Sequence, residues 1–142
     1  YVAEVLRSHG IATFLLDLLT PQEEQVDGVT RHLRFNIAAL LAAHERPNEV
    51  QMIISRGGRP DLVKPEILKE IPTPTLCIVG GNDLGVLNLN ESALRNLGSQ
   101  TKQLEIIPGA THLFEEPGCL EKVADLAAQW IKQNLTNDHE KN

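Results

Sequence analysis

The chain's 142 residues make one domain's worth of sequence, with 42% hydrophobic and 23% charged residues, 13 basic against 19 acidic side chains and a net charge of −6. That balance excludes intrinsic disorder and argues against nucleic acid as a partner, because neutralising phosphates needs a basic surface. No apolar run is long enough to span a membrane and no basic-then-apolar leader opens the chain, so a soluble, cytoplasmic protein is expected, its core aliphatic since only Tyr1, Phe14, Phe35, Phe114 and Trp130 are aromatic.

In chain order, Val2 to His9 reads as a helix stopped by Gly10, already under way at Tyr1, from which an absent upstream part is expected. Ile11 to Leu16 follows as a first strand. Gln22 to Gly28 is an acidic surface loop, and Arg31 to Arg46 a helix with Thr30 as N-cap and Pro47 as stop. Gln51 to Ser55 and Thr75 to Val79 are near-continuous apolar strands, joined by a Pro-rich connector with a short helical turn at Glu66 to Glu70. Asn90 to Leu97 is a short helix closed by Gly98, and Gln103 to Ile107 a fourth strand. Leu120, Val123, Ala124, Ala127, Trp130, Ile131 and Leu135 recur at helical spacing and form the last helix. The alternation predicts a three-layer α/β fold, a mainly parallel sheet of about four strands with helices on both faces. Residues 1–135 form that domain and residues 136–142 a polar tail.

In a parallel sheet, the loops after the strands converge on one rim, where ligands bind. Here they deliver Asp17, Arg56, Arg59, Asp83 and His112. Asp83 and His112, each after a strand, form an acid-then-histidine order: a carboxylate on imidazole Nδ1 orients the ring as a general base. Asp83 also fits a turn residue, and His112 a structural histidine. Asp17, Arg56 and Arg59 are candidates for a substrate rim, the arginines for clamping an anion. The glycine pairs 57–58 and 80–81 match no phosphate-binding fingerprint, and His112, Glu115 and Glu116 lack metal-ligand spacing, so neither cofactor nor metal is expected. Cys77 and Cys119 read as free thiols, Cys119 at the surface or half-buried.

The segments Val79-Gly80-Gly81-Asn82-Asp83 and Ile107-Pro108-Gly109-Ala110-Thr111-His112-Leu113-Phe114, with the helix from Leu120 to Leu135, resemble the acid loop, histidine loop and final helix of the dienelactone hydrolase-like branch of the α/β-hydrolase superfamily. Residues 12–21, 31–35 and 55–62 resemble the same branch, some of whose members are fused to phosphoribosyltransferase domains. The resemblance implies a triad acid at Asp83, a triad base at His112 and hydrolysis of ester or lactone bonds. It also implies a nucleophile in G-x-S-x-G or G-x-C-x-G, which this sequence lacks, since Ser8, Ser55, Ser92, Ser99 and both cysteines stand elsewhere. The expectation is a truncated and internally shortened form, with a strand and the nucleophile missing between Ile37 and Ala38 and the oxyanion loop missing before Tyr1. Such a chain would be a pseudoenzyme of hydrolase lineage that meets a small-molecule ester or an anion. The alternative is a non-catalytic binding or assembly module that self-associates through an exposed edge strand.

Overall fold

The structure is a computed structural model that describes residues 2–8 and 36–135. The expected strand Ile11 to Leu16, Asp17, the 22–28 loop, the start of the helix expected from Arg31 and the 136–142 tail lie outside the described residues. The elements are α1 (Val2–Ser8), α2 (Asn36–Glu45), β1 (Ile53–Arg56), a 3-10 turn (Pro60–Leu62), α3 (Pro65–Lys69), β2 (Thr75–Gly80), α4 (Leu84–Asn96), β3 (Lys102–Ile107) and α5 (Cys119–Leu135).

Among the described residues, three strands form one parallel sheet in the order β1-β2-β3. Register places Arg56 opposite Ile78 and Gly80 opposite Ile107, so the three strands finish at one edge. β2 is buried along its whole length, which explains its unbroken apolar sequence: it has a strand on either side and helices over both faces. One face packs Ile53 under α2, α3 and α4 through Leu40, Ala43, Leu68, Ala93 and Leu97. The other packs Leu76, Ile78 and Ile107 under α5 through Val123 and Trp130, and α1 lies against α5. Along α5, buried Ala124, Ala127 and Ala128 bring the helix close to its neighbours. Among the described residues no helix is long and apolar enough to cross a membrane.

One expected element changes substantially. The helix expected from Asn90 starts at Leu84, directly after the acid loop. Gly85, Asn88 and Asn90 disguise its first turns as loop, because Asn and Gly favour turns when sequence alone is read. In the fold, Leu87 N–H donates to Asp83 C=O at 2.9 Å, and Asn90 turns its carboxamide to neighbouring carbonyls, so the helical backbone keeps its own bonds. By contrast, α2 runs unbroken through the Ile37–Ala38 junction.

Candidate acid–base site

The site forms where β2 and β3 end. After β2, Gly81 N–H donates to Ile107 C=O and Asn82 N–H to Ala110 C=O, each at 2.9 Å, and Asn82 Nδ2 donates to Gly109 C=O at 2.9 Å. Three bonds therefore lace the acid loop to the histidine loop. Gly80 permits that approach: a Cβ there would lie 2.6 Å from Thr111 O and closer still to Ala110 O. No side chain other than hydrogen fits such a gap.

Asp83 stands at the N-cap position of α4, yet makes no side-chain cap bond. Its carboxylate is spent on His112 instead: the Nδ1–Oδ2 distance is 2.7 Å. A carboxylate only accepts, so Nδ1–H donates and the proton-accepting nitrogen of the neutral ring is Nε2. The side chains are 19% exposed for Asp83 and 37% for His112, which shelters the acid while leaving the ring in reach of solvent. Gly81-Asn82-Asp83-Leu84-Gly85 has the spacing of a nucleophile elbow, but Asp83 has φ −95° and ψ 62°, without the strained turn that lifts a nucleophile off a strand.

Past His112 the loop is anchored by features that the sequence did not disclose. Phe114 is 1% exposed and has φ 58°, a left-handed conformation that costs a bulky residue energy. Burial of its ring among the α5-side core residues offsets that strain, at roughly 1.5–3 kcal/mol for a side chain of this size. Glu116 Oε1 accepts from Thr111 N–H at 3.0 Å. Hydrogen bonding from Thr111, aided by Glu116's own amide, holds the Glu116 carboxyl below the ordinary carboxylate range. The only sequence cue to that brace was a carboxylate five residues after a turn.

Of the remaining rim candidates, two are described. Arg59 is not held out for an anion: its Nε and a terminal nitrogen each donate to Asp61 at 2.8 Å. That pairing, and more weakly the nearby Asp83 charge, raises the guanidinium pKa further. Arg56 is exposed, with its guanidinium carbon 5.9 Å from the centre of the Phe114 ring. Asp17 lies outside the described residues. Directly beside the pair, the leucines that follow each residue are exposed, Leu84 at 65% and Leu113 at 60%, alongside exposed Asn82 and Thr111. Cys77 and Cys119 are free thiols, and Cys119 is buried at 6% exposure rather than half-exposed, because it opens α5 facing the core.

No protein-family model matches the chain. Two relatives from strains of Mycobacterium tuberculosis, both provisionally named phosphoribosyl transferases, are 42% identical over 166 residues that take in 95% of this chain. The chain spans 37% of the length of these relatives. Because the aligned stretch of 166 exceeds the chain's own 142 residues, the relatives carry residues inside it that have no counterpart here. Among solved structures, a dienelactone hydrolase from Anabaena variabilis matches with a TM-score of 0.79 and 46% identity, covering 94% of this chain and 77% of that one. Identity at that level over three quarters of a solved hydrolase, on the same parallel sheet and helix layers, assigns descent: the chain belongs to the dienelactone hydrolase family, of α/β-hydrolase fold.

Proposed function

We propose that this chain carries the acid–base half of an ester- or lactone-hydrolysing site, with Asp83 as orienting acid and His112 as base, and that by itself it does not turn esters over through an acyl-enzyme. The observation that carries the reading is the 2.7 Å Asp83–His112 bond at the carboxyl edge of a sheet shared with a dienelactone hydrolase. A base so oriented would take a proton from a nucleophile and return it to the leaving alcohol. The sequence holds no G-x-S-x-G or G-x-C-x-G to supply that nucleophile. The residues that the mycobacterial relatives carry without counterpart here support an internal shortening, and the continuous helix across Ile37 and Ala38 leaves no elbow at that junction. The phosphoribosyl transferase name belongs to a protein of which this chain spans 37%, and no phosphate-cradling fingerprint in the chain supports that chemistry here.

Incubation of the purified chain with a fluorophosphonate probe and with p-nitrophenyl acetate tests the reading. We expect no covalent adduct and no turnover that His112→Ala removes. A stoichiometric adduct, or a His112-dependent burst of p-nitrophenol, would overturn it.

A further inference from the structure

We propose that Asn90 is a positioning residue for the Asp83–His112 pair, acting through the turn at Gly57 and Gly58; the proposal rests on reading that pair as an acid–base couple. Asn90 lies in the middle of α4 and is 0% exposed, an uncommon place for a carboxamide, which is costly to bury unless it is hydrogen-bonded. Its Nδ2 donates twice, to Gly58 C=O at 2.8 Å and to Val86 C=O at 2.9 Å. Two carbonyls around one group fix the amide's orientation, since the flipped rotamer would set oxygen against oxygen. The price is Oδ1, which is buried with no hydrogen-bond partner. An apolar side chain of similar size would fill the same space without that penalty, so the two donated bonds are what asparagine contributes here.

Of the two, the bond to Val86 stays within the helix, whereas the bond to Gly58 joins α4 to the turn that follows β1. That turn walls the imidazole. Gly57 has φ 61° and is tied to β2 by N–H donation to Ile78 C=O at 2.8 Å. A Cβ on it would lie 3.3 Å from the His112 carbonyl oxygen, 3.4 Å from Cε1 and 3.6 Å from Nδ1. Helix α4 begins immediately after Asp83. Asn90 therefore ties the helix that presents the acid to the backbone against which the histidine rests, and sets the gap across which the Asp83–His112 bond forms.

Proton NMR of the purified full chain tests this. An imidazole Nδ1–H bonded to a carboxylate resonates far downfield, and its loss in His112→Gln assigns it. Asn90→Leu keeps the volume and removes both donors, while Ala93→Gly loosens the same buried helix without touching the turn. We expect Asn90→Leu to lose the resonance or move it upfield and to shift the imidazole titration, and Ala93→Gly to keep both even where its melting temperature falls as far. A parent-like resonance and titration in folded Asn90→Leu would overturn the proposal. If circular dichroism shows that Asn90→Leu does not fold, Gly57→Ala takes its place: it presses a methyl on the ring with Asn90 intact, and an unchanged resonance there overturns the proposal equally. Absence of the resonance in the parent chain would overturn the acid–base reading and this inference together, an outcome distinct from either variant result.

Discussion

Gly80 and Thr111 lie backbone to backbone: a methyl on Gly80 would stand 2.6 Å from the Thr111 carbonyl oxygen. The last residue of β2 thus supports the histidine loop from below, and neither partner can move aside, because Gly81 and Asn82 are hydrogen-bonded to that same loop. Gly80→Ala should therefore destabilise the fold by roughly 1–3 kcal/mol, the usual cost of forcing extra volume into packed structure. It should also weaken the downfield His112 proton signal, since the displaced backbone carries the imidazole. Urea denaturation with NMR at low denaturant checks both, and a stable variant with an intact signal would show that the loop tolerates the shift.

Glu116 introduces an acid limit on the same loop. Its carboxyl titrates below the ordinary value of 4.5 because Thr111 hydrogen-bonds the ionised form. For a carboxylate whose folded pKa is depressed, the stabilisation is present above the unfolded value and is lost as pH falls through the folded one. Loosening of the loop is therefore expected on acidification below about pH 4.5 and not above it. Glu116→Gln should be less stable than the parent at neutral pH and should flatten this acid dependence. Melting temperatures of the two chains across that range, converging at the acid end, are the check.

Cys77 sets a limit at the alkaline end. Burial pushes its thiol from 9.0 to about 12, since an ionised sulfur inside β2 would have no solvation. The unfolded chain gives up this proton first, so between pH 9.0 and about 12 the folded state loses stability as pH rises. Cys77→Ala should show a shallower alkaline decline. At neutral pH both cysteines should resist iodoacetamide in the folded chain and react after denaturation, as both are buried. Mass spectrometry of the alkylated protein reads this directly, and rapid labelling of native Cys77 would contradict it.

Much of the architecture was legible in the linear sequence because it is written in local periodicity. The apolar run at Thr75 to Val79 marked a strand buried on both faces, and the three- and four-residue spacing from Leu120 to Leu135 marked the last helix; both stand within a residue of expectation. Asp83 and His112 could be nominated because each follows a strand, and the ends of parallel strands meet. The start of α4 was not legible, since Gly85, Asn88 and Asn90 favour turns until neighbouring carbonyls satisfy them.

What the sequence by itself determined is the alternation of strand and helix, the chemistry available at the strand ends and the lack of an elbow motif, all properties of residue order. Only the tertiary structure decided which of those groups meet. Asp83 is turned to His112 and not to its own helix, Arg59 is committed to Asp61, and Asn90 holds a turn 32 residues away. These are choices among competing partners for the same donors and acceptors. They are settled by distance and burial, quantities that exist only once β1, β2 and β3 have been brought side by side.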